Sequence, residues 1–124
     1  MNISFSMTTQ QVRNRTKRVT RRLGWLWIVK APKPVILQAI EKGQGLKRGE
    51  HVVKICPIRV VGARLETLKK MIWHREYGLE EVIKEGVPWM TPEYFVQWFC
   101  KGHHCTPDRV ITRIEFEYME GEDG

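Results

Sequence analysis

The feature that most restricts the fold of this chain is a change of hydrophobic period along it. Residues 2 to 7 alternate Ile3, Phe5 and Met7 with Asn2, Ser4 and Ser6, and residues 109 to 118 alternate in the same way, which is the pattern of strands. Between Leu65 and Cys100 the apolar positions recur at helical spacing instead. Leu65, Leu68, Lys69 and Ile72 begin one segment, Leu79, Val82 and Ile83 mark a second, and Tyr94, Phe95, Trp98 and Phe99 form a broad aromatic face on a third. The third helix carries its own start signal, with Thr91 as N-cap and Pro92 at the first helical position. His51 to Gly62 is the most strand-like run, and Pro57 within it, lacking an amide donor, predicts an edge position or a sharp bend. Strands at both ends and in the middle, with helices between, predict an α+β fold in which a small barrel is flanked by helices.

The remaining segments fill in this outline. Thr8 or Thr9 can cap a short helix through Gln10–Arg13. Ala31-Pro32-Lys33-Pro34 interrupts any regular element. After it Val35, Ile36, Ala39 and Ile40 share one helical face, so a helix is expected there, stopped by Gly43 and Gly45. Leu46 to Glu50 reads as a turn around Gly49. The last strand places Val110, Thr112, Ile114, Phe116 and Tyr118 on its apolar side, with Ile111 out of phase. A chain of 124 residues, 42% hydrophobic and with five Trp, suits one globular domain over residues 1–119, followed by an acidic tail at 120–124 that is expected to be disordered. Neither a long apolar run nor a signal-peptide pattern is present, so a cytoplasmic protein without a membrane partner is expected.

Charge is segregated. Residues 1–40 hold eight Lys/Arg and no acid, whereas the rest holds 13 Lys/Arg against 14 Asp/Glu, which together make the net +7. Six of those eight cations lie in residues 13–25, a run that alternates as a strand, with Thr20 and Arg22 on one side and Lys17, Val19 and Arg21 on the other. Such a patch gathers polyanions, and nucleic acid is the first partner it suggests, through Arg15, Arg18, Arg21 and Arg22 with Trp25 beside them.

Three groups of side chains could carry chemistry. Lys17 and Thr20 could form a base and nucleophile pair, because neighbouring arginines lower a lysine's pKa and a hydroxyl needs a base to attack. Three residues apart on a regular strand they face opposite ways, so their cooperation requires a bulge between them. Glu76, Glu80, Glu81 and Glu85 offer a carboxylate. Glu85, at the break before Gly86-Val87-Pro88, is the one expected to face a pocket, whereas Glu80 and Glu81 on a helix are expected to face water. Cys100, His103, His104 and Cys105 could bind zinc or, for the cysteines, form a disulfide. A helix end with Gly102 as its left-handed residue explains them more simply, so no metal is assigned. No phosphate-cradling glycine loop, Ser-His-Asp order or calcium loop is present, and no cofactor is expected.

Phe5-Ser-Met-Thr-Thr-Gln-Gln-Val12, Arg15-Thr-Lys-Arg-Val-Thr-Arg-Arg-Leu-Gly-Trp25, Gly45-Leu-Lys-Arg-Gly-Glu50, Glu85-Gly-Val-Pro-Trp-Met-Thr-Pro-Glu93 and Thr112-Arg-Ile-Glu-Phe116 together resemble the ASCH domain, a branch of the PUA-like superfamily. The resemblance implies a PUA-like small β-barrel with flanking helices and an RNA-related role. Some small ASCH proteins are amidohydrolases that deacetylate N4-acetylcytidine, another is described as a ribonuclease, and many have no assigned activity. Carried over, the catalytic set falls on Lys17, Thr20 and Glu85, with Arg22 as an anion-binding neighbour. The expected ligand is therefore RNA or a modified nucleoside, bound around Lys17, Thr20 and Arg22, with amide hydrolysis or RNA cleavage as the chemistry if there is any. The helical insert around residues 64–84 is longer than in that amidohydrolase group.

Overall fold

The computed structural model of the chain describes residues 1–43, 46 and 48–119, so the expected Gly45 stop and the acidic tail lie outside the described residues. In chain order the elements are β1 (Asn2–Ser4), α1 (Thr9–Arg13), β2 (Val19–Arg22), α2 (Leu26–Lys30), β3 (Val35–Ile40), β4 (Lys54–Thr67), α3 (Lys70–Trp73), α4 (Arg75–Lys84), α5 (Pro92–His103) and β5 (Val110–Tyr118). The strands form one sheet in the order β1-β3-β4-β5-β2, curled into half a barrel. β1 runs parallel to β3 and every other pairing is antiparallel. The chain's first and second strands thus lie at opposite edges, and β2, the strand of the basic run, is open on one side.

Both faces of the sheet are covered. Ile3, Phe5, Leu37, Ile58, Ile114 and Phe116 fill the concave side together with Val12 and Ile28 of the two short helices. Leu68, Met71, Val82, Phe95, Phe99 and Ile111 fill a second core under α3, α4 and α5. That second core is why Ile111 falls out of phase: β5 is central, and apolar residues are needed on both of its sides. Among the described residues no helix is long and apolar enough to cross a membrane.

Several expectations are corrected. Val35–Ile40 is a strand, not a helix, because its apolar residues suit both periods and six residues between β1 and β4 gain a full ladder of hydrogen bonds. Leu65 belongs to β4, which is 14 residues long, and helix begins only at Lys70. The basic run is a strand only from Val19. Ahead of it Arg15 is left-handed (φ 62°) and Thr16 is folded back, its amide and hydroxyl both bonded to Asn14 Oδ1. Met7 is 69% exposed and lies outside the first strand. In α5 the Thr91 hydroxyl accepts from Tyr94 N at 3.0 Å, as its cap pattern predicts, but the left-handed residue at the far end is His104 and Gly102 is helical.

Pro57 sits where β4 has one neighbour. It pairs with Gln38 of β3, while β5 joins only from Ile58 onward, so no ladder bond is lost on the other side. Two residues of β4 are passed over in pairing, Ile55 opposite the Ala39/Ile40 step and Val61 opposite the Phe116/Glu115 step, and such bulges bend a long strand into a barrel wall.

Candidate functional site

The short turn after α4 runs beside the open edge of β2. Arg18 N donates to Lys84 O at 2.7 Å, and the turn itself depends on Gly86, whose φ of +87° few other residues adopt. Lys17 is fixed at every end. Its amide donates to Gln11 O at 3.2 Å, and its carbonyl accepts from the Tyr118 hydroxyl at 2.6 Å. Its ammonium nitrogen donates to Glu85 Oε1 at 2.6 Å and to Glu85 O at 2.9 Å. Both side chains of this ion pair are 3% exposed.

Glu85 is shared. Its second oxygen accepts from Arg21 Nη1 at 2.9 Å, and Arg21 Nη2 lies 2.6 Å from Glu81 Oε1 and 3.0 Å from Glu66 Oε2. Glu81 in turn receives Arg113 Nε at 2.6 Å and Nη2 at 3.0 Å. Tyr77 donates to Glu66 and accepts from Arg64 Nη2 at 2.8 Å. The pairing register explains the arrangement: Arg64, Arg113 and Arg21 lie side by side across β4, β5 and β2, on the face covered by α4. Three adjacent cations under a helix demand carboxylates, and Glu66, Glu81 and Glu85 supply them.

Thr20 and Arg22 point to the opposite, concave face. Arg22 Nε donates to Thr20 Oγ1 at 3.1 Å, its Nη2 donates to Ser4 O at 2.6 Å, and the guanidinium lies over the Phe5 ring at 4.9 Å. Among the described residues no carboxylate bonds to Arg22 and no partner hydrogen-bonds to its Nη1.

Charge on Lys17 is set by opposing effects. Burial disfavours its ammonium, Glu85 favours it by field and hydrogen bond, and Arg22 and Arg21 disfavour it; the balance lies below the ordinary lysine value. Burial likewise pushes Arg22 down to about 10 against the pull of Glu85, which leaves it a cation at neutral pH. Burial also works against Glu81, yet hydrogen bonds from Arg113 and the field of Arg21 prevail and hold it down at about 2.

No family model, curated protein or solved structure matches this chain. Of the residues singled out in the sequence, the fold joins Lys17 to Glu85 directly. β2 is regular through Thr20 but begins only at Val19, so strand alternation does not set the direction of Lys17 and no bulge is needed between Lys17 and Thr20; Lys17 Nζ makes no hydrogen bond to Thr20 among the described residues. The link between them runs through Arg22, which bonds Thr20 and whose charge reaches Lys17. Arg21, expected to contact ligand, is instead 3% exposed with both terminal nitrogens bonded to carboxylates, since its face of the strand is roofed by α4. Arg15 lies over the Tyr118 ring at 5.5 Å, Arg18 is exposed, and Trp25 is half-buried against the core beside Trp27. Glu76 and Glu80 are exposed, but Glu81 is fully buried, contrary to the expectation that it faces water. Glu66 and Tyr77 lie in no motif, and Arg113 lies in the Thr112–Phe116 run without a role assigned to it. The one available signal was Ile111, which marks the side of β5 carrying Arg113 as covered.

Cys56, Cys100 and Cys105 form no disulfide with one another, and among the described residues no three His, Cys, Asp or Glu side chains are grouped to hold a metal. A cavity of about 400 Å³ lined by Arg59, Glu117, Tyr118 and Met119 includes none of Lys17, Thr20, Arg22 or Glu85.

Proposed function

We propose that this chain is an ASCH-type amidohydrolase, its curled sheet a PUA-like barrel, acting on N4-acetylcytidine-like nucleosides through Lys17, Thr20 and Glu85. The observation that carries the reading is the buried Lys17–Glu85 contact at 2.6 Å, just ahead of a strand that holds the Thr20 hydroxyl with an arginine. Two of the three hydrogen positions on the Lys17 nitrogen are taken by Glu85, and the third remains for Thr20 or for substrate. In the neutral form, which burial and two arginines favour, Lys17 accepts the Thr20 proton as Oγ1 attacks the acyl carbon. Arg22 stabilises the resulting oxyanion with its Nη1. As the carbon–nitrogen bond breaks, the proton returns through Lys17 and Glu85 to the leaving amine, and water then releases the acyl group from Thr20.

RNA or nucleoside binding without chemistry is the second reading, and exposed Arg18 and Arg15 support it. It loses much of its charge, however. Lys17 and Arg21 are buried against carboxylates and Arg13 pairs with Glu41, so at least half of the six cations in residues 13–25 are neutralised within the protein. The deciding measurement is N4-acetylcytidine deacetylation followed by chromatography. Wild type is expected to turn over, and Thr20→Ala, Lys17→Ala and Glu85→Gln each to lose about a hundredfold or more in kcat. Wild-type protein that leaves N4-acetylcytidine intact but shifts RNA at low salt, with the shift weakened by Arg18→Ala, would replace the enzymatic reading with the binding one.

A further inference from the structure

An arginine reaching three carboxylates is an expensive way to stabilise a fold. Buried ion networks seldom outperform apolar packing of the same volume, and this one leaves Arg21 Nε buried with no hydrogen-bond partner, a donor whose desolvation goes uncompensated. What the arrangement does secure is geometry. Arg21 presents its two terminal nitrogens in a fixed plane, Nη1 to Glu85 Oε2 at 2.9 Å and Nη2 to Glu81 and Glu66 at 2.6 and 3.0 Å. Glu81 is anchored in turn by Arg113 and Glu66 by Tyr77, so the guanidinium cannot rotate without breaking contacts on three elements. With Oε2 turned to Arg21, the carboxylate oxygen that Glu85 presents to Lys17 is Oε1, 2.6 Å from Nζ.

We propose that Arg21 is the positioning residue of this site: it supplies a counter-charge beside Glu85 and holds its carboxylate in place, without Lys17 having to be an ammonium. This rests on the amidohydrolase reading of Lys17 and Glu85 and deepens it, since a lysine base must be neutral beside a carboxylate that would otherwise hold its proton. The groups facing Lys17 are Glu85 from the turn after α4, Arg21 and Arg22 from β2, and the Tyr118 hydroxyl from β5, which contacts the Lys17 carbonyl. Of these, Arg21 is the cation that bonds the carboxylate. Removing it leaves Glu85 to be neutralised by Lys17 alone and takes away a positive field, and both effects favour the ammonium.

The test reads the protonation of Lys17 independently of turnover. In protein labelled with 13C-lysine, the Lys17 Cε resonance, assigned by its loss in Lys17→Ala, is titrated in wild type, Arg21→Met and Arg21→Lys. The midpoint is expected to rise by about one pH unit or more in Arg21→Met and to return to within about half a unit of wild type in Arg21→Lys, which restores charge without the fork. If wild type turns over N4-acetylcytidine, kcat at neutral pH falls about tenfold in Arg21→Met, with KM within about twofold, and the acidic limb of the kcat profile moves to higher pH. A midpoint unmoved or lowered in folded Arg21→Met makes Arg21 a purely structural residue and overturns the proposal. Should Arg21→Met not fold, Arg21→Lys decides on the resonance itself. A wild-type midpoint together with a Cε shift displaced from that of wild type supports a lost Glu85 fork, and an unchanged shift refutes it. A wild type with no activity removes the amidohydrolase reading while leaving the titration to judge Arg21.

Discussion

At the scale of single residues, the site depends on a glycine as much as on its charged groups. A Cβ on Gly86 would stand 2.9 Å from both Cβ and Cγ of Gln11 and 3.3 Å from Cβ of Lys17, in a backbone conformation that side chains resist. Gly86→Ala is therefore expected to destabilise the protein by about 2 kcal/mol in urea unfolding, the strain and the displaced Gln11 contributing together. Because the clash reaches Lys17, the proposed hydrolytic activity should fall further than stability alone accounts for. A variant with wild-type urea midpoint would show that the turn can move away without cost. The charged residues of this region were unequally legible. Glu85 stands out in the sequence because it breaks a helix before Gly-Val-Pro, whereas Glu81 and Arg113 look like solvent-facing residues of a helix and a strand. Only the register that aligns Arg64, Arg113 and Arg21 gives Glu81 its place, and register is a property of three strands at once.

Elements were legible where one period ruled and obscure where two competed. β5 and α5 follow from alternation and from Thr91-Pro92, but Val35–Ile40 carries apolar residues on both faces because β3 lies inside the sheet, and that pattern does not exclude a helix. The insert of α3 and α4 was visible as helical, though Leu79 and Ile83, which mark its period, are exposed and only Val82 is buried. What docks α4 is Gly78, whose added Cβ would lie 2.0 Å from the Met71 carbonyl oxygen and 2.9 Å from Pro92 Cβ. The helix thus touches the backbone of α3 and the first turn of α5 at a point with room for hydrogen alone. Gly78→Ala should cost about 3 kcal/mol despite alanine's better helix propensity, because the obstacle is backbone and cannot rotate away. Urea unfolding reads the loss, and a stabilised variant would contradict this packing.

For the molecule as a whole, the buried charges predict how stability follows pH. Glu81 is held at about 2 against an ordinary 4.5, and Glu66 is shifted the same way: burial opposes its charge, and Arg21 with the Tyr77 hydroxyl outweighs it. Carboxylates depressed on folding stabilise above their unfolded value and lose that contribution as pH falls through the folded one, so the loss falls between about 4.5 and 2. For Glu81 the amount is on the order of 3 kcal/mol. Lys17, lowered on folding, acts in the same sense at the other end, since the unfolded chain binds its proton more tightly and stability rises as pH climbs toward 10.5. Tyr77 opposes that rise. Burial and its bond to Glu66 lift it from 10 to about 12, so its contribution is complete below pH 10 and fades above it. Urea midpoints at constant ionic strength should therefore rise steeply between about pH 2 and 4.5, climb further on the alkaline side as Lys17 loses its proton, and decline above about pH 10 as Tyr77 ionises. Glu81→Gln should lower stability at neutral pH and flatten the acid limb, because Arg113 and Arg21 lose a carboxylate partner and the limb loses a group that titrates in it. Equal midpoints at pH 3 and pH 6 in the unaltered protein would mean that the carboxylates under α4 are not held in their ionised form by the arginine row, and the electrostatic basis of the site would go with them.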